Sequence, residues 1–166
     1  MSALSETRSE TVDGDLRALY QEVILDHSRH PRNYGRPESA GREAQGNNPI
    51  CGDRVTVYLD LDPQGRIVDA AFEGRGCAIS LASASLMTEL LKGRGREAAE
   101  RLFRDFRALC TGEAVSPDPS DEEALERLQV LAGVRDFPAR VKCATLAWHT
   151  MDAALHDQGG EEVTTE

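Results

Sequence analysis

The sequence lacks the features of membrane-spanning and secreted proteins. No stretch approaches the uninterrupted apolar run of about 18 residues that a membrane-spanning helix requires. Residues 1–15 are polar and acidic and contain no apolar segment typical of a secretory signal, so we expect a cytoplasmic protein. The chain has 166 residues, a length that is typical of a single domain with one hydrophobic core.

Positive charge is also scarce. Lysine and arginine total 19 against 29 acidic residues, which gives a formal net charge of −10. Because nucleic-acid binding requires clustered basic side chains that contact phosphates, we expect no nucleic-acid partner. The acid excess indicates either an ordinary solvated surface or a surface that favours a basic partner protein.

Cysteine is rare too, with four residues, at positions 51, 77, 110 and 143. A cytoplasmic protein keeps its thiols reduced, so disulfide bonds are not expected. Each cysteine is therefore a core residue, a metal ligand or a nucleophile.

The hydrophobic pattern predicts an α+β fold, in which helices cover a small antiparallel sheet of about three strands. We expect one domain over residues 14–157, with disordered tails over residues 1–13 and 158–166. Helical spacing of apolar residues, together with start and stop residues, predicts five helices, over 15–30, 78–92, 96–110, 120–131 and 138–156. Ser120 is predicted to cap the fourth of these.

A β-hairpin is predicted in the middle of the chain. Apolar residues alternate with polar ones over 55–61, the period of a half-buried strand. Asp-Pro-Gln-Gly at 62–65 is typical of a type I turn, and a second strand follows over 67–73 with Val68, Ala70 and Phe72 on one face. A further edge strand is expected around 42–45.

Three candidate metal ligands are predicted to meet at one end of this hairpin. Cys51 and Asp53 lie in a loop before the first strand, where Gly52 allows a tight turn, and both side chains are competent zinc ligands. Cys77 follows the second strand, and because the strands are antiparallel it returns to the same end. Cys77 also begins a helix, whose dipole favours the thiolate. Taken singly, these residues have simpler interpretations, as an incidental loop and a buried cysteine at a helix start.

Two further candidates lie in the first turn of the last helix. The sequence alone does not show that Cys143 meets the hairpin, but if it does, three thiolates and one carboxylate complete a tetrahedral zinc set. Such an anionic centre needs a nearby positive charge. Arg140 is the candidate to pair with Asp53 or to steady the thiolates, unless it is an ordinary surface arginine.

The remaining cysteine and the histidines are interpreted as structural residues. Cys110 ends an amphipathic helix with no partner motif nearby. His27 and His30 end the first helix, where the dipole favours imidazolium, and they either cap it or belong to a partner-binding edge. His149 and His156 are expected at solvated helix positions.

Several segments of the sequence form one recognisable pattern in consistent order over roughly residues 15–155. They are Leu19-Tyr20, Asp26-His27, Pro31-Arg32-Asn33, Asn48-Pro49-Ile50-Cys51-Gly52-Asp53, Gly76-Cys77-Ala78-Ile79-Ser80, Ala82-Ser83-Ala84-Ser85 and Phe137-Pro138-Ala139-Arg140-Val141-Lys142-Cys143-Ala144-Thr145-Leu146-Ala147-Trp148. This pattern resembles the IscU/NifU-N family of iron–sulfur cluster assembly proteins, and the last segment resembles its SufU branch in particular. Lys142 stands where scaffold-type members carry a histidine, and the helix predicted over 120–131 is consistent with the insertion typical of SufU-type chains.

The resemblance implies a zinc site formed by Cys51, Asp53, Cys77 and Cys143. It further implies that Cys51 accepts persulfide sulfur from a SufS-type cysteine desulfurase, and that Arg140 holds Asp53 when the coordination changes. The protein would then be a sulfurtransferase that acts with the desulfurase rather than alone, upstream of a SufBCD-type cluster scaffold. One alternative is a non-enzymatic, iron-binding scaffold that builds a [2Fe–2S] cluster on the same ligands, and another is an inert structural zinc domain.

Overall fold

The computed structural model describes residue 18, residues 20–156 and residues 163–164. Of the predicted disordered tails, residues 1–13 lie outside this range, and so do residues 158–166 except Val163 and Thr164, which form a short strand instead. Within these ranges, no helix is long and apolar enough to cross a membrane.

Four strands form the sheet, in the order β3-β2-β1-β4. They are β1 (Arg42–Asn48), β2 (Asp53–Leu61), β3 (Ile67–Arg75) and β4 (Val163–Thr164). The first three are antiparallel neighbours, which confirms the predicted hairpin and edge strand, whereas β4 pairs with β1 in parallel. The predicted sheet of about three strands therefore lacked only this short fourth strand at the β1 edge.

The β2–β3 turn forms as predicted, but a β-bulge follows it. Gly65 N donates to Asp62 O at 2.9 Å, and the register between the two strands then shifts. Val68 is 50% exposed, while Ala70 and Phe72 are buried. The prediction that Val68 shares their buried face is wrong, because one extra residue in a strand reverses the alternation of its side chains.

Five helices occur among the described residues, and the second and the fifth make the main helix contacts with the sheet. They are α1, described over 20–29, then α2 (Ala78–Leu91), α3 (Arg96–Thr111), α4 (Glu122–Leu128) and α5 (Pro138–Leu155). Pro31 follows shortly after α1, as predicted, since the residue before a proline is disfavoured in helical geometry.

The fourth helix differs most from its prediction. Only 122–128 is α-helical, and 3₁₀ turns flank it on both sides. The side chain of Asp118, not that of Ser120, accepts the capping hydrogen bond, from Ser120 N at 2.9 Å. Asp121 is fully buried and ties this segment to the rest of the domain through ion pairs with Arg94 and Arg101, at 2.6 and 2.7 Å.

A polar clamp joins α2 to α5 in the core. Ser83 Oγ donates to Ala144 O at 2.5 Å, and the indole Nε1 of Trp148 donates to Ser83 Oγ at 3.1 Å. All three residues are buried. The clamp lies about equally far along both helices, so it holds the start of α2 and the start of α5 at the same end of the domain, where the hairpin loop also lies.

Candidate metal centre

The β1–β2 turn presents the first two candidate ligands. Asn48 and Asp53 form the last pair of the two strands, and residues 49–52 connect them. Gly52 has φ +72°, a left-handed conformation that glycine adopts at little cost. As a result Cys51 is exposed at the tip of the turn, whereas Asp53, at the first position of β2, is fully buried.

Cys143 completes a cluster of three donor atoms. The Sγ atoms of Cys51 and Cys143 and a carboxylate oxygen of Asp53 lie within 4.8 Å of one another. Cys143 is fully buried and reaches this position from the second turn of α5. The structure thus brings together Cys51, Asp53 and Cys143, including the one residue that the hairpin could not place.

Cys77 lies directly beside this three-residue cluster, although its Sγ is not one of the mutually close donor atoms. It is the N-cap residue of α2, and its backbone N–H donates to Asp53 Oδ1 at 3.0 Å. The preceding Gly76 makes this approach feasible, because a Cβ at that position would lie 2.5 Å from the same oxygen. The antiparallel hairpin therefore returns Cys77 to the end of the sheet that carries Cys51, as the sequence predicted.

The electrostatics of the cluster disfavour negative charge in the absence of a cation. Burial raises the pKa of the Cys143 thiol, and the neighbouring Asp53, Cys51 and Cys77 raise it further. The neighbouring Cys77 and Cys143 in turn raise the pKa of Arg140. That Arg140 steadies the thiolates stays a prediction, and the hydrogen bonds of the described residues do not join it to Asp53.

The cluster fits a zinc ion. Asp53 Oδ2 is buried and has no hydrogen-bond partner among the described residues. A buried carboxylate oxygen without a partner is costly, and a bound cation removes that cost. Thiolate and carboxylate are both zinc ligands, so Cys51, Asp53 and Cys143 would hold the ion, with Cys77 as the adjacent fourth donor.

Asn48 is a neighbour of this site to which the sequence analysis assigned no role. Its side chain is fully buried, and Nδ2 lies 3.8 Å from Cys143 Sγ. Its Oδ1 is also buried and has no hydrogen-bond partner among the described residues. A sequence signal existed, since Asn48 precedes Pro49 in the loop motif, but only the strand register shows that it faces the same side as Asp53.

The other cysteine and the histidines of α1 lie outside the cluster. Cys110 is fully buried, and burial raises the pKa of its thiol to about 12, which confirms a core role. His27 is buried and lies 2.7 Å, through Nδ1, from Ser85 Oγ. It therefore joins α1 to α2 rather than capping a helix end or facing a partner, whereas His30 is exposed.

The two histidines of α5 differ from each other. His149 was predicted to be solvated, but it is half-buried with its ring centroid 4.9 Å from that of Phe103, and burial lowers its pKa. His156 is exposed, as expected, and its Nε2 lies 2.8 Å from Glu100 Oε1.

Known proteins share this sequence and fold. The model of the NifU-like N terminal domain matches residues 19–144. A Bacillus subtilis protein named zinc-dependent sulfurtransferase SufU is 40% identical, over 89% of this chain and 97% of the relative. A Streptococcus pyogenes protein named iron-sulfur cluster assembly scaffold protein IscU is 38% identical, over 91% of each chain.

Solved structures agree with these relatives. The crystal structure of FiSufU from Fervidobacterium islandicum matches with a TM-score of 0.73 at 35% identity, over 81% of this chain and 94% of that one. The α+β fold and the family predicted from the sequence are both confirmed. The chain belongs to the NifU-like N-terminal domain family, the family of the IscU and SufU iron–sulfur assembly proteins.

Proposed function

We propose that this protein is a zinc-dependent sulfur-transfer protein of cytoplasmic iron–sulfur cluster assembly, in which Cys51 accepts sulfur from a cysteine desulfurase. The observation that carries the proposal is an exposed cysteine within 4.8 Å of two buried donor groups. The name of the Bacillus subtilis relative, a zinc-dependent sulfurtransferase, supports the same chemistry.

The candidate ligands differ in burial, and this difference indicates different roles in sulfur transfer. Asp53 and Cys143 are fully buried at the starts of a strand and a helix, so they are fixed by the surrounding structure. Cys51 instead lies in a turn that no regular hydrogen bonding holds at its tip, next to Ile50, which is 68% exposed. Cys51 is therefore the ligand that can leave the cluster and meet a partner, while Asp53, Cys77 and Cys143 stay.

The sulfur-transfer step needs a thiolate at Cys51. A zinc ion held at this site would supply it, because a metal-coordinated sulfur is deprotonated. The Cys51 thiolate then attacks the outer sulfur of the persulfide that the desulfurase carries on its own cysteine. A new S–S bond forms at Cys51, the S–S bond of the desulfurase breaks, and the desulfurase cysteine leaves as a thiolate. The outer sulfur thus moves from the desulfurase cysteine to Cys51 with no net oxidation or reduction.

Arg140 compensates for the departure of Cys51. Its guanidinium lies beside the sulfur atoms of Cys77 and Cys143, and it is the positive charge that the anionic cluster needs. When Cys51 leaves and the coordination changes, Arg140 holds Asp53, which stays at the site together with Cys77 and Cys143. SufBCD-type scaffold proteins would be the downstream recipients of the sulfur.

The alternative function is a scaffold that builds a [2Fe–2S] cluster on the same residues. It is favoured by the names of relatives such as the Streptococcus pyogenes IscU. Against it stands Lys142, the neighbour of Cys143, at the position where scaffold-type members of the family carry histidine.

The test measures metal content and sulfur transfer together. The purified protein is assayed for zinc and iron and then added to its cysteine desulfurase with cysteine, and alanine production is followed. We expect bound zinc at one ion per chain, faster alanine production, and a persulfide on Cys51 by mass spectrometry. Cys51→Ala should abolish both the stimulation and the persulfide.

Cys110→Ala is the matched control, because Cys110 is a core residue away from the cluster. It should retain zinc and stimulation. Stimulation that survives in Cys51→Ala refutes Cys51 as the acceptor. Stable cluster assembly on the zinc-free protein without sulfur transfer favours the scaffold instead.

A further inference from the structure

The side chain of Asn48 contacts the three-residue donor cluster through the sulfur atom of Cys143. Its Nδ2 lies 3.8 Å from Cys143 Sγ, within hydrogen-bonding range for sulfur, and its side chain is fully buried. The strand register explains the position, since Asn48 and Asp53 are directly opposed in β1 and β2 and share one face. In this last strand pair, Asp53 is a candidate ligand, and Asn48 contacts a second candidate ligand, Cys143.

The chemistry of the amide fixes its direction. A thiolate is an acceptor and has no proton to give, so the amide must present its N–H to a metal-bound Cys143. This leaves Oδ1 buried and without a hydrogen-bond partner among the described residues, which is unfavourable. A fold that needed Asn48 only as a filler would do better with an apolar side chain. The uncompensated oxygen therefore points to a use for the N–H at the other end.

We propose that Asn48 is a positioning residue that donates a hydrogen bond to the Cys143 thiolate and makes Cys143 the retained ligand of the cluster. The inference rests on the proposed zinc site. A donor at the sulfur withdraws electron density, which lowers the nucleophilicity of that thiolate and strengthens its fixed orientation. Hydrogen bonds to metal-bound thiolates tune their centres in the same way in iron–sulfur proteins.

The consequence is selectivity between two thiolates of one cluster. Cys143 is buried and hydrogen-bonded to Asn48, so its sulfur is inaccessible to a partner and less nucleophilic. Cys51 is exposed, and among the hydrogen bonds of the described residues no N–H group donates to its sulfur. Incoming sulfur is thereby directed to Cys51, and the ion stays on the protein while Cys51 reacts.

The test compares Asn48→Leu with Asn47→Leu. Leucine is close to asparagine in shape and cannot donate a hydrogen bond, and Asn47 is the adjacent residue of β1, on the opposite face of the sheet. Zinc affinity is measured by competition with a chromophoric chelator. Asn48→Leu should weaken zinc binding about 10–100-fold, the effect typical of losing an outer-shell partner, and the control should not.

A further readout separates a positioning role from an effect on folding. In the cobalt-substituted protein, the sulfur-to-cobalt charge-transfer band should move to longer wavelength in Asn48→Leu, because the thiolate loses its donor. Asn48→Ala serves if Asn48→Leu does not fold, and the zinc-free melting temperature of each variant reports on folding alone.

The outcomes are distinct. A wild-type protein that binds no zinc refutes the proposed function and with it the present inference. A wild-type protein that binds zinc, with Asn48→Leu and Asn47→Leu alike in zinc affinity and cobalt spectrum, overturns the role of Asn48 and leaves the zinc site standing.

Discussion

Replacing Gly76 by alanine should displace the Asp53 carboxylate from the metal site, although no candidate ligand is itself substituted. A Cβ at Gly76 would lie 2.5 Å from Asp53 Oδ1 and 3.0 Å from its Cγ, whereas ordinary contacts begin at 3.4 Å. Gly76 is not among the glycines with positive φ, so alanine fits the backbone there. The main perturbation is therefore the contact of one methyl group with the carboxylate of Asp53.

The size of the effect follows from these distances. The carboxylate must move by about 1 Å, while a zinc–oxygen bond tolerates a deviation of roughly 0.2 Å. The Asp53–zinc bond is thus lost, and zinc binding should weaken on the order of 100-fold, equivalent to about 2.7 kcal/mol. The zinc-free protein should also lose about 1.5–3 kcal/mol of stability, because Asp53 Oδ1 no longer accepts from Cys77 N.

The assay is a double-mutant cycle with Asp53→Ala. Zinc affinity is measured by chelator competition, and the stability of the zinc-free protein by guanidinium unfolding. In the Asp53→Ala background the Gly76→Ala change should cost little, since its remaining close contact is Ser80 Oγ at 3.2 Å. Gly95→Ala is the control, because a Cβ there meets no atom within 4 Å and Gly95 also precedes a helix. Wild-type zinc affinity in Gly76→Ala, or equal losses in both backgrounds, would refute the steric argument.

Two further predictions concern groups away from the metal. Burial lowers the pKa of His27 below its usual 6.5, so the unfolded chain takes up the proton more readily; the stability that neutral His27 contributes is complete above that value and lost as the pH falls. His27→Gln should therefore reduce the fall in unfolding free energy between about pH 7.5 and 5.5, as measured by urea titration, and an unchanged pH slope would contradict this assignment. Asp121→Ala should cost about 2–3 kcal/mol in the same assay, less than for a wholly buried pair because Arg94 and Arg101 partly reach solvent; a loss below that of a surface substitution would show that the ion pairs contribute nothing.

The hairpin half of the site could be predicted because its information is local. Alternation with a period of two residues defines both strands, a four-residue turn defines their pairing, and antiparallel geometry then brings Cys77 to Cys51 and Asp53. Where the same reasoning failed, at Val68, the cause was a bulge that depends on how the two strands pair. The short strand at Val163 likewise forms by pairing with β1, which is distant in sequence, so the local sequence pattern does not predict it.

The position of Cys143 depends on packing between distant helices. The small residues of α2 were visible in the sequence, but what they do there is visible only in three dimensions. With serine and alanine along its buried face, α2 lets the α5 backbone approach closely enough for Ser83 Oγ to bond Ala144 O at 2.5 Å. Ala144 directly follows Cys143 in the chain. One turn further along α5, Trp148 Nε1 donates a second hydrogen bond to the same Ser83 Oγ.

Cys143 is consequently held by the core itself, and this explains why the cluster has one movable ligand rather than several. A ligand anchored one residue from a core clamp cannot leave without disturbing the packing of α2 on α5, and Asp53 is held by β2 and by Cys77 N. Cys51 has no such anchor, because it lies at the tip of a turn whose conformation depends on Gly52. The chemical asymmetry that sulfur transfer requires, with retained ligands and one that departs, therefore follows from which residues the core holds and which a turn merely presents.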